Sequence, residues 1–174
     1  MEMQGERRID ASRDEVWRAL NDPEVLKACI PGCEELTKTS DTSFEAKVTQ
    51  KVGPVKARFT GAVELADIVR AESYTLQGEG KGGAAGFAKG LARVKLADDG
   101  GGTLLTYDVE AKVGGKLAQL GSRLIDGFAR KVADDFFTRF QAEIEGPPEE
   151  ADATEEKKGW FSRLIAWLKR LLFG

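Results

Sequence analysis

Histidine is absent from the 174 residues, and cysteine occurs only twice. Without imidazole there is no Ser-His-Asp or Cys-His nucleophile system, no side chain that titrates unaided near neutral pH, and no His-ligated zinc. Cys29 and Cys33 stand at C-x-x-x-C spacing. They are too few for an all-cysteine zinc site and wrongly spaced for a C-x-x-C redox pair, so they read as half-buried, inert thiols of a reducing compartment. No apolar run approaches the ~20 residues needed to cross a bilayer. The opening Met1-Glu2-Met3-Gln4-Gly5-Glu6-Arg7-Arg8 is polar and holds no secretory apolar region, which predicts a cytoplasmic protein. What is present suffices for a globular core, since a chain of this length buries roughly 70% of its unfolded surface without disulfide or metal.

Charge divides the chain unevenly. Residues 1–156 carry 21 basic and 29 acidic residues, net −8, whereas residues 157–174 are net +5 and contain no acid. An acidic body argues against nucleic-acid binding, which needs a basic surface. The stretch from Gly146 to Glu156 is acidic, contains Pro147 and Pro148, and has no large apolar residue. It cannot bury enough to repay its own ordering. The predicted organisation is a domain over 1–145, an acidic flexible linker over 146–158 and a tail over 159–174.

The domain opens with a short strand ending near Ile9. Ser12-Arg13-Asp14-Glu15 then forms a capping-box sequence ahead of a helix to about Leu20. Asp22-Pro23-Glu24 starts a second short helix, which the Pro31-Gly32 turn ends. From Cys33 to Val113 the apolar period is two, and strands are predicted near 34–39, 43–52, 55–68, 72–80, 86–97 and 103–113. Short links between them imply an antiparallel meander. After Gly114-Gly115 the period changes. Apolar residues from Leu117 to Ile144 recur at three- and four-residue steps, which predicts one helix of about 29 residues. The expected fold class is α+β, a curved antiparallel sheet wrapped around that long helix, plus a separate amphipathic tail helix.

Parity places unexpectedly small residues on the inner face of the sheet: Ala57 and Gly61, Gly78 and Gly80, and Ala88, Gly90 and Ala92. The helix adds Ala118, Gly121 and Ser122, and Gly121 and Gly127 each cost about 1 kcal/mol against alanine in a helix interior. Two readings stay open. Either small residues leave an apolar pocket between the sheet and the first half of the long helix, with its mouth at Ile30-Pro31-Gly32, or they let helix and sheet pack closely. The expected pocket wall is Phe59, Tyr74, Tyr107, Leu117, Leu120, Gly121, Leu124 and Phe128. Gly78-Glu79-Gly80-Lys81-Gly82-Gly83 fits G-x-G-x-x-G, but no helix opens after it, so it is not a dinucleotide site. Glu79, Asp98, Asp99, Asp108 and Glu110 fall on wet faces or turns and read as solvated charge. The expectation is no catalytic residue, no metal and no covalent cofactor.

In the tail, Trp160, Phe161, Leu164, Ile165, Trp167, Leu168, Leu171 and Leu172 fall within an arc of roughly 160° at helical spacing, with Arg163, Lys169 and Arg170 on the other side. Too short to span, such a helix is expected to lie in the interface of a bilayer with anionic lipids. Docking onto the domain or onto a partner protein is the competing reading.

The run Ser12-Arg13-Asp14-Glu15-Val16-Trp17-Arg18-Ala19-Leu20-Asn21-Asp22-Pro23-Glu24-Val25-Leu26, with Cys29-Ile30-Pro31-Gly32-Cys33-Glu34, Val52-Gly53-Pro54-Val55 and the stretch from Gly114 to Ile125, resembles the carbon monoxide dehydrogenase G-subunit family. That family lies within the START-like, or helix-grip, superfamily. The resemblance covers residues 1 to about 145. It implies a helix-grip fold with a pocket, and an accessory that holds a molybdenum carbon monoxide dehydrogenase at the membrane. On that basis the expected function is a non-enzymatic carrier that takes up a lipophilic molecule, a respiratory quinone, with Tyr74 or Tyr107 bonding a quinone carbonyl. The tail would keep it on the inner face of the cell membrane. A pure recruitment module without a transported ligand is the alternative, and an enzyme of the cyclase or hydrolase kind is the least favoured class.

Overall fold

The computed structural model describes residues 1–146, 167–168 and 170–172. Strand β1 (Glu2–Ile9) leads into α1 (Arg13–Leu20) and α2 (Pro23–Cys29). Six strands follow: β2 (Cys33–Ser40), β3 (Ser43–Val52), β4 (Val55–Val69), β5 (Ser73–Lys81), β6 (Phe87–Asp99) and β7 (Gly102–Gly114), with a 3-10 turn at Gly83–Ala85. Helices α3 (Lys116–Gln119) and α4 (Ser122–Glu145) close the domain.

Local chemistry sets the helix starts. The Ser12 hydroxyl accepts from the Glu15 N–H at 3.2 Å, and Asp22 Oδ1 accepts from the Glu24 N–H at 2.9 Å ahead of a helix that begins at Pro23. Each cap satisfies an amide that has no partner within its helix. The sheet has seven antiparallel strands in the order β1-β7-β6-β5-β4-β3-β2. Sequential strands pair as a meander, and β1 returns to the free edge of β7.

Register aligns the inward residues in rows that run across the sheet. The row nearest the β3–β4 turn that is complete over five strands is Ala46-Gly61-Gly80-Ala88-Val113. Two rows further on stand Leu65, Leu76, Ala92 and Val109, then Tyr74, Val94 and Tyr107, then Leu96 and Leu105. From this row toward the base, side-chain size thus grows. The large end is where the core closes: Ile9, Val16, Cys29, Thr103, Leu105 and Phe140 are all fully buried. Trp17 meets Tyr74 edge to face at 5.4 Å, and Phe136 stacks on Phe140 at 5.6 Å. The Thr103 hydroxyl, buried among these apolar groups, donates to Ala11 O at 2.7 Å.

The expected single long helix is two. Leu117 is buried and anchors α3, then the chain breaks at Leu120-Gly121 before α4 begins. Gly121 has φ 89° and ψ 154°, a conformation essentially reserved for glycine. It does not sit inside a helix, so no helix-propensity penalty falls on it. Gly115, with φ 73° and ψ −147°, makes the preceding turn. Its Cα packs against Gly86, where an added Cβ would lie 2.6 Å away.

Residues 167–168 and 170–172 are helical, and no described helix is long and apolar enough to cross a membrane. Of the tail residues expected to meet lipid, Trp160, Phe161, Arg163, Leu164, Ile165 and Lys169 lie outside the described residues, as does the expected linker from 147 to 158. Trp167, Leu168, Arg170, Leu171 and Leu172 are exposed, Leu171 and Leu172 by 66% and 70%.

Candidate functional site

Between the concave face of the sheet and α4 lies a cavity of about 680 Å³. Its base is the large-residue end of the sheet, and its mouth is the opposite end, where the loops cluster. All five inward residues of β7 (Leu105, Tyr107, Val109, Ala111 and Val113) line it, as do Phe44, Ala46, Val48, Gln50 and Val52 of β3. From α4 come Ile125, Phe128, Ala129, Val132, Ala133, Phe136 and Phe137. Only Gln50, Tyr74, Glu79 and Tyr107 among the lining residues carry side-chain oxygen or nitrogen.

The two readings of the small residues separate here. A Cβ built on Gly80 would find no atom within 4 Å, and one on Gly61 would meet only carbonyl oxygens at 3.7 and 3.9 Å. These glycines border empty space. At Gly90 the neighbouring strand stands in the way, with Glu110 O at 2.8 Å from such a Cβ. Smallness at Gly61 and Gly80 makes volume, whereas at Gly90 it permits strand packing.

Of the expected wall, Phe59, Tyr74, Tyr107, Leu117 and Phe128 line the cavity. Leu120, Gly121 and Leu124 do not, because the break between α3 and α4 carries them outward. Gly121 has nothing within 4 Å of a built Cβ and is exposed. Leu124 is 40% exposed and lies over the β3–β4 turn, with its Cδ2 2.9 Å from a Cβ placed on Gly53. Wall residues that the sequence reasoning missed include those of β3, Leu26 and Leu36, and, along α4, Val132, Ala133, Phe136 and Phe137. In β3 the signal was there, since Phe44, Ala46, Val48 and Val52 alternate with polar residues as cleanly as β7 does.

The mouth turn is tied down. The Gln50 side-chain amide donates to Pro31 O, and the Thr49 N–H donates to Gly32 O at 2.9 Å. Gly32 has φ 73°, and Thr49 O lies where its Cβ would be, so only glycine fits. Gln50, the polar member of the β3 inward set, therefore serves the Ile30-Pro31-Gly32 turn.

The two tyrosines differ. Tyr74 is 6% exposed at the cavity base, and burial pushes its phenol well above the ordinary value. Tyr107 stacks on Phe137 at 5.1 Å, and its hydroxyl fills the notch left by Gly5, 2.2 Å from where a Cβ would stand. Burial first, then the Asp134 carboxylate, raises its pKa. Both are neutral donors over the physiological range.

The carboxylates expected to be solvated form no acid–base pair. Asp98 pairs with Arg13 at 2.9 Å, Asp99 with Arg8 at 3.4 Å, and Asp108 and Glu110 share Arg93. Among the described residues no cluster of three or more His, Cys, Asp or Glu could hold a metal ion. Burial, with Glu143 nearby, pushes the Cys29 thiol up to about 11, and burial also raises Cys33. Both stay thiols at neutral pH.

Residues 5–145 match the model of the CoxG family, the G subunit of carbon monoxide dehydrogenase. Among solved structures, a conserved protein from Geobacillus kaustophilus is similar at 32% identity and TM-score 0.78, over 83% of this chain and 95% of that one. A START superfamily protein from Mycobacterium smegmatis superposes with TM-score 0.63 at 12% identity, over 83% of this chain and 97% of that one. A Thermus thermophilus protein does so with TM-score 0.63 at 16% identity, over the same shares. The last two similarities are of fold alone, and they place the domain among START-like folds. No curated protein matches the chain.

Proposed function

The chain belongs to the carbon monoxide dehydrogenase G-subunit (CoxG) family, and from that premise we propose that it is a non-enzymatic, membrane-tethered carrier of a lipophilic molecule for the dehydrogenase. The observation that carries this reading is the empty, apolar volume bordered by Gly61 and Gly80. At about 680 Å³ it falls in the ~300–1,000 Å³ range of small-molecule sites. Apolar walls with few polar groups suit a ligand that is mostly hydrocarbon with one or two oxygens.

A respiratory quinone has that chemistry. A dehydrogenase outside the bilayer must hand its electrons to an acceptor that water does not dissolve. The carrier offers Tyr74 as O–H donor to a quinone carbonyl, with Tyr107 able to do so only on leaving the Gly5 notch, while Phe59 and Phe128 near the mouth and Leu117 enclose the apolar remainder. The tail residues Trp167, Leu168, Leu171 and Leu172, exposed beside Arg170, support a helix that rests in the interface of anionic lipid. The resulting location is the cytoplasmic face of the cell membrane.

Organic extraction of full-length protein purified from membranes, followed by mass spectrometry, tests the carrier. A quinone at near-stoichiometric amount is expected, and an empty cavity refutes it. Flotation with liposomes, comparing the full chain with a Trp160→Glu/Trp167→Glu variant, tests the tether; equal binding refutes that part.

A further inference from the structure

Three acid-free runs of chain pass through the cavity mouth. Residues 46–63 carry Lys47, Lys51, Lys56 and Arg58, residues 80–97 carry Lys81, Lys89, Arg93 and Lys95, and residues 111–125 carry Lys112, Lys116 and Arg123. Pairing fixes where the outermost of these stand. Lys51 lies opposite Lys56 beside the β3–β4 turn. Lys81 is opposite Phe87, which is opposite Gly114. Lys116 opens α3 two residues later, and Arg123 adjoins Leu124, whose side chain covers Gly53. Lys51, Lys56, Lys81, Lys116 and Arg123 therefore gather at the mouth end of the domain, the first three on the outer face of the sheet beside the opening. All five are exposed, and none forms an ion pair among the described residues. Two large apolar side chains stand among them, Phe87 at 45% and Leu124 at 40% exposure.

The base of the domain is the reverse. Its cations Arg8, Arg13 and Arg70 are each paired with an aspartate, while Arg18, Lys38, Lys95 and Arg139 are exposed there without an ion pair among the described residues and are outnumbered by the acids. Glu15, Asp41, Asp67, Glu72 and Glu143 are exposed there in addition. The α4 C-terminus is also at this end, where the Asp10 N–H donates to the Glu145 carboxylate.

We propose that the rim of the mouth is a second membrane-docking surface, in which these cations meet anionic headgroups and Phe87 and Leu124 enter the interface. The cavity then opens directly onto the bilayer. This deepens the carrier reading and rests on it for its purpose, but the contact is independent of the tail. The domain's charge polarity supplies the orientation, since an anionic surface attracts the rim and repels the base. Cations around exposed apolar side chains are the composition of interfacial binding. Four of the five cations are lysines, compact point charges on flexible stems. They suit a fluid headgroup layer better than the fixed fork-to-carboxylate geometry of a protein interface, which favours arginine. A ligand too apolar for water can cross from lipid to cavity only where such a contact excludes water.

Amide hydrogen exchange of the full chain tests this, with and without vesicles of equal parts phosphatidylglycerol and phosphatidylcholine. Exchange in residues 51–56 and 114–124 is expected to slow by at least about threefold on these vesicles, and not on phosphatidylcholine alone. The Lys51→Glu/Lys56→Glu/Lys116→Glu variant changes only exposed side chains and should lose that protection while still floating through its tail. Rim protection that survives Trp160→Glu/Trp167→Glu supports the rim even where the tether fails. Flotation of the unaltered chain with unchanged rim exchange leaves the tether standing and overturns the rim. Protection of the rim by purified dehydrogenase and not by vesicles assigns the surface to the enzyme and likewise overturns it.

Discussion

Replacing Gly80 by isoleucine should stabilise the domain while it weakens ligand binding. The position is the next-to-last residue of β5, paired on both sides with Gly61 and Ala88, and a Cβ there meets nothing within 4 Å. In a strand, glycine gives up about 1 kcal/mol to a β-branched residue, and an isoleucine side chain also buries apolar surface, worth roughly 1.5–3 kcal/mol when complete. Side-chain ordering returns about 0.5–1 kcal/mol of this. Because the side chain would face the open cavity and be buried only in part, a net gain of about 1 kcal/mol is expected, or about 3 °C in Tm for a domain of this size. The same side chain takes the place of about four ligand atoms, and at ~0.3 kcal/mol per atom that is ~1 kcal/mol, or roughly fivefold in affinity. Denaturant unfolding measures the first quantity, and titration with a fluorescent apolar probe such as N-phenyl-1-naphthylamine measures the second. If helix and sheet were closely packed here, overpacking would instead cost about 1–3 kcal/mol. Destabilisation of that size, with probe binding unchanged, refutes the reasoning.

Gly5→Ala should push the Tyr107 hydroxyl from its notch; the expected result is a loss of about 1–3 kcal/mol by overpacking, read by unfolding, with Tyr107→Phe relieving part of it. Gly121→Ala places a Cβ in a backbone region reserved for glycine and should cost about 1–3 kcal/mol, whereas a gain in stability would mean that α3 and α4 fuse into one helix. The Glu64 carboxylate accepts from the Ser43 and Thr42 hydroxyls, which hold its pKa below the ordinary value. Its contribution is present above that value and lost as the pH falls through the folded pKa, so Glu64→Gln should flatten the acid limb of the stability–pH profile. Iodoacetamide at pH 8 should leave Cys29 unmodified in the native protein, because its thiol is raised to about 11 and is fully buried; mass mapping checks this.

The strands were legible because most have one covered and one wet face, and that alternation survives in β7 and, apart from Gln50, in β3. The helix break was not. A glycine within a three-to-four pattern of apolar residues looks the same whether it is helical or not, and Gly121 is decided by where Leu117 must bury itself. That single misplacement put Leu120, Gly121 and Leu124 in the wall and left out the middle of α4. Small inward residues were legible as small, but their meaning was not, because parity cannot say whether a facing helix approaches. Only the space beside Gly61 and Gly80 separates the two readings.

The gradient of side-chain size along the sheet divides labour within one domain. Trp17, Phe140, Leu105 and the Thr103 bond hold the fold together at one end, and the row Ala46-Gly61-Gly80-Ala88 contributes little to that task. Substitutions in this row can therefore reshape the chamber without spending the stability on which the chain depends. If the proposed carrier function holds, a descendant could exchange one lipophilic cargo for another by single steps, each folded and each selectable. Slow amide exchange concentrated around Ile9, Leu105 and Phe140, with fast exchange around the small-residue row, would be the physical mark of that freedom to vary.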